Sequence, residues 1–96
     1  MSTTESLISA LGVFEKAFGH RRQPAHQSAV ALAVALSEER DALVERLERR
    51  WAWCDANEGH DLFIDREDAV IADISTYETM QAALDQAADV LWKARD

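Results

Sequence analysis

A single cysteine, one proline and three glycines in 96 residues exclude several architectures at the outset. Cys54 alone closes no internal disulfide, and sparse cysteine suits a reducing compartment. So little turn chemistry argues against many short strands and for long helices. Long hydrophobic runs are also missing. The longest, Ala29 to Leu36, has eight residues, whereas a membrane-spanning helix needs roughly twenty. Nor does the start of the chain carry the basic-then-apolar pattern of a secretory leader, since Thr3, Thr4 and Glu5 stand there. A soluble cytoplasmic protein with no membrane partner is the expectation. Basic residues are scarce beyond Cys54. From Asp55 to Asp96 only Arg66, Lys93 and Arg95 oppose eleven acids, whereas Met1 to Cys54 carries seven of each sign. The entire net charge of −8 therefore lies in the second part of the chain. Such an asymmetry bears on partners and association rates, not on fold.

What is present is helical. The apolar fraction, 48%, is that of a folded domain, and the length allows one domain spanning 1–96. Much of that fraction is alanine, which buries little per residue, so the core is slender and self-association is a natural way to thicken it. Ser2 followed three residues later by Glu5 fits a capping box, and Leu7, Leu11, Phe14 and Phe18 mark one helical face, giving a first helix over 4–18. Gly19 is the stop signal and Gln23-Pro24 ends the connection. No glycine or proline occurs between Ala25 and Asn57, so the second helix covers about 25–57; Ser37 with Glu38, Glu39 and Asp41 behind it could start a fresh helix, making four. Within it Leu36, Leu43, Val44, Leu47, Trp51 and Cys54 share an arc. The third helix is expected over 66–95, with Asp65 as its cap. Val70, Ile74, Tyr77, Gln81, Leu84, Ala88 and Leu91 form a heptad seam, and Ala69, Ala72, Met80, Ala83, Ala87, Val90 and Ala94 a second, smaller face. The fold class is all-α: a long antiparallel helical hairpin with a short N-terminal helix, completed as a bundle by dimerisation.

Motifs that carry chemistry are few. The stretch from Asp55 to Asp68 resembles an EF-hand calcium loop, with Asp55 and Asn57 at its first and third positions between two helices. Calcium binding would need a glycine at position six and an acid at position twelve, where this chain has His60 and Arg66. Counting back from Asp68 recovers Ile64 and Asp61 but puts Leu62 at the turn. The resemblance stops there, and a polar connection with a helix cap is expected instead. His20, His26 and His60 lack the spacing that sets two imidazoles on one helical face. Cys54 with His60 has the residue types of a nucleophile and base, yet Cys54 lies on the apolar arc, where a thiol is an inert small hydrophobe. No catalytic, metal or cofactor site is therefore assigned, and an enzyme is not expected. Direct nucleic-acid binding is disfavoured too, because Arg46, Arg49 and Arg50 are interleaved with Glu45 and Glu48 in an acidic chain.

Surface residues remain. Trp53 falls outside the apolar arc, beside Arg46 and Arg49; Arg49, four residues earlier, is placed to stack on the indole. Either this is a protein-binding patch or Trp53 fills a contact with the first helix. Glu67, Glu78, Asp85 and Asp89 align in a stripe beside Trp92, a surface suited to a basic partner. Val70, Ile74, Tyr77, Leu84 and Leu91 are the candidates for self-association. The functional expectation is a non-enzymatic protein–protein interaction module or inhibitor. It has two variants. In one, an acidic inhibitor of the kind phages and mobile elements direct against host defence blocks a nucleic-acid-binding groove; in the other, a homo-oligomeric subunit assembles through the seam.

Overall fold

The structure is a computed structural model in which residues 2–17, 23–59 and 63–93 are described. Three helices account for nearly all of them: α1 (Thr3–Lys16), α2 (Pro24–Ala56) and α3 (Phe63–Lys93), with no strand among the described residues. The signals in the sequence explain the ends. Ser2 is the N-cap of α1, and its hydroxyl accepts the Glu5 backbone N–H at 3.2 Å. Gln23 is extended (ψ 152°), as a residue before proline must be, and Pro24 takes the first helical position, where a missing N–H costs nothing. Gly59 has φ 90°, a left-handed conformation that leaves α2 without Cβ strain. Phe18, Gly19, His20, His60, Asp61 and Ala94 lie outside the described residues.

One open boundary is decided and one expectation is corrected. The long helix does not break at Ser37: α2 runs uninterrupted for 33 residues, so the described residues form three helices and not four. Alanines and leucines around Ser37 favour continuation, and Leu36, next to it, is fully buried in the core, which holds that turn in place. Ser37 instead accepts a long hydrogen bond (3.4 Å) from Arg40. Asp65 is not a cap either, because α3 begins at Phe63, two residues before it.

The three helices enclose one dry cluster of Leu7, Leu11, Ala29, Leu36, Ala83 and Ala87, extended by Leu32, Met80, Leu84, Val90 and Leu91. Contacts place α1 along only part of the longer helices. Thr3 donates to the Glu39 carboxylate at 2.8 Å, while at the other end of α1 the Phe14 ring lies 5.3 Å from His26. The remainder of α2, from Arg40 to Ala56, therefore faces α3 without α1. Across that stretch Arg40 meets Gln81, whereas Arg46 and Arg50, further along α2, meet Asp73, further back on α3. The molecule is elongated, 55 × 21 × 15 Å, with a radius of gyration of 17.2 Å. A compact domain of this length would measure about 12–13 Å. None of the described helices is long and apolar enough to cross a membrane.

Candidate functional site

The buried row of α2 advances in steps of seven: Ala29, Leu36, Leu43. The next step is Arg50, and facing it α3 presents Asp73, only 8% exposed and the one buried charged residue among the described residues. Arg50 and Arg46 each pair with a different oxygen of the Asp73 carboxylate, Arg46 at 3.3 Å. Both oxygens of the acid are thus satisfied, and no buried side-chain polar atom lacks a partner among the described residues. A second polar link lies further along: Arg40 donates to Gln81 at 3.0 Å, and Gln81 donates to Asp85 at 2.9 Å. Sequence reasoning passed over Asp73. Its signal was there, an acid midway between the two apolar faces of α3, at the level of two arginines on α2.

These contacts redistribute the expected Arg–Trp patch. Arg46 is engaged with Asp73 across the helix pair. A guanidinium over the Trp53 ring is that of Arg66 on α3, 5.0 Å from the ring centroid; Arg49 is exposed on α2. Trp53 is half-buried, but α1 does not cover it. The start of α1 sits at Glu39, and Trp53 lies fourteen residues further on, about 21 Å along the helix. The reading of Trp53 as a contact with the first helix is thus replaced by a contact with Arg66. Trp51 is corrected in the opposite sense: assigned to the apolar arc, it is 56% exposed. Two residues apart on a helix, the indoles point to nearly opposite sides, so they flank the α2–α3 contact.

On α3 the stripe residues Glu67, Glu78, Asp85 and Asp89 are all exposed, as is Trp92 at 64%. Among the described residues neither Glu67 nor Glu78 makes an ion pair. The seam is divided. Val70 is buried within the chain and has no surface left for a second copy, which corrects its place among the self-association candidates. Ile74, Tyr77, Leu84 and Leu91 are half-buried; Ala88, also in that seam, and Ala72, on the smaller face, are exposed. The inward side of α3 is centred between the two faces read from the sequence, on Val70, Asp73, Ala83 and Ala87.

A groove of about 240 Å³ opens beside Trp51, lined also by Cys54, Asp55, Glu58, Glu67 and Val70. The calcium-loop reading has no support in its geometry. Asp55 is still helical and only 57–62 separates α2 from α3, half of a twelve-residue loop. No group of His, Cys, Asp or Glu that could hold a metal ion occurs among the described residues. No protein-family model, curated protein or solved structure matches the chain.

Proposed function

We propose that the chain is a non-enzymatic protein–protein interaction module that binds a partner protein carrying a basic surface. The observation that carries this reading is the unneutralised acid exposed along α3. Glu67 and Glu78 stand exposed without ion pairs among the described residues, on the helix that carries exposed Trp92 near its far end, in a chain of net charge −8. Long-range attraction to a basic surface accelerates encounter, and exposed tryptophans supply the anchoring area that charge alone does not. α2 and α3 form an antiparallel helical hairpin in this proposal, a rigid rod that holds the stripe in line. The test is affinity capture from native extract, followed by association kinetics with the purified partner across a salt series. Reversing Glu78, Asp85 and Asp89 to lysine should slow association at least about tenfold and flatten its salt dependence. Rates indifferent to both would remove the reading.

Self-assembly is a second proposal, favoured by the surface of the single chain. Its accessible area is 6596 Å², against about 5,500 Å² for a compact monomer of this mass. A homodimer pairing the half-buried Ile74, Tyr77 and Leu84 with exposed Ile71 (58%) would cover part of that excess. Sedimentation equilibrium reads it directly, and a monomer at high concentration removes it.

A further inference from the structure

Deepening the basic-partner reading, on which it rests, we infer that the groove between the end of α2 and the start of α3 is an anchor site for an arginine side chain of the partner protein. The groove is about 240 Å³, smaller than the roughly 300–1,000 Å³ of small-molecule sites and scaled to a side chain. Its wall is the Trp51 indole, 56% exposed, and its floor includes Val70, which is buried. An apolar floor receives the aliphatic stem of a long cationic side chain, and the indole face receives its charge.

Charge complementarity sets the sign of the occupant. Among the described residues, Asp55, Glu58 and Glu67 line the groove and no lysine or arginine does. None of the three acids makes an ion pair with another described residue. Of the cations nearest in sequence, Arg46 and Arg50 pair with Asp73 and Arg66 lies over Trp53, while Arg49 is exposed on α2 and does not line the groove. Geometry then selects among cations. The carboxylates are distributed around the groove and do not form a group able to hold a metal ion. A compact ammonium or a bare metal ion would be reached by few of them. The flat guanidinium, with five N–H donors spread around its edge and a face that stacks on indole, meets dispersed acids and a tryptophan together.

The full chain, isotopically labelled, is titrated with a capped Arg-Gly repeat peptide while the three tryptophan indole N–H resonances are followed by NMR. Citrulline and lysine versions of the peptide serve as comparisons. The Trp51 resonance should shift and saturate with the arginine peptide. Citrulline should abolish the shift, lysine should weaken it several-fold, and Asp55→Asn with Glu67→Gln should weaken it about tenfold. Trp51→Ala should also lose binding while its thermal melt stays unchanged, since that side chain is mostly in solvent. Shifts confined to Trp92, with Trp51 unmoved, would overturn the groove but leave the basic-partner reading standing. Equal binding of the lysine or citrulline peptide would overturn the guanidinium assignment. If no indole moves, the groove proposal falls, and the salt-dependent capture experiment decides the broader reading separately.

Discussion

The two ends of this molecule hold helices together by different chemistry. Where α1 lies on α2 and α3, the contact is Leu7, Leu11, Ala29, Leu36, Ala83 and Ala87, all at most 2% exposed. Where α1 is absent, the same row of α2 passes from Leu43 to Arg50, and α3 answers with Asp73. Three helices can surround a volume and dry it; two can only share a stripe, with water on both sides. At the two-helix end an arginine is the better choice, because its stem packs while its head stays partly hydrated, 33% exposed for Arg50 and 51% for Arg46. Partial hydration lowers the desolvation cost that makes a fully buried ion pair unfavourable. The end that is weaker in apolar burial is also the end that carries the exposed Trp51 and the acidic groove.

The sharpest way to break the comparison is at the dry end. Leu11→Ala removes a fully buried side chain and should cost about 3 kcal/mol, read as a shift of the urea midpoint. At the ionic end, Asp73→Ala should cost less, about 1–2 kcal/mol, because both arginines can turn to water. Replacing Asp73 by Leu together with Arg50 by Met should leave stability equal or raised; a loss as large as that of Leu11→Ala would show that the ion pair is an obligate part of the core. Gly59→Ala, at the exit from α2, places a side chain at φ 90° and should cost about 1 kcal/mol in the same measurement. The smallest effect has the opposite sign. Gly12 lies inside α1 with nothing within 4 Å of an added Cβ, so Gly12→Ala should stabilise the three-helix end by about 0.5–1 kcal/mol. Hydrogen exchange would sharpen the contrast, with amides of 46–56 exchanging before those of 29–40.

Much of the fold was legible in particular residues. The stretch from Ala25 to Asn57 without glycine or proline, the Leu7–Leu11–Phe14 face and the Ser2 cap each identified an element that the structure contains. The site was less legible. Trp51, assigned to the apolar arc, is exposed, Arg66 lies over Trp53, and Val70 is used up inside the chain. Each of these depends on how far α1 reaches, and spacing within one helix does not record that.

By itself the sequence determined that the chain is helical, roughly where each helix begins and ends, and that its charge is concentrated beyond Cys54. Propensity, capping and proline act within a few residues, so local sequence carries them. Tertiary structure alone decided that α1 begins beside Glu39, that Asp73 is enclosed by two arginines, and that Trp51 looks out over a groove while Trp53 lies under Arg66. Periodicity marks the face a helix can bury. Whether that face is buried depends on a second helix arriving there, and here one helix is 14 residues long and its neighbours 33 and 31.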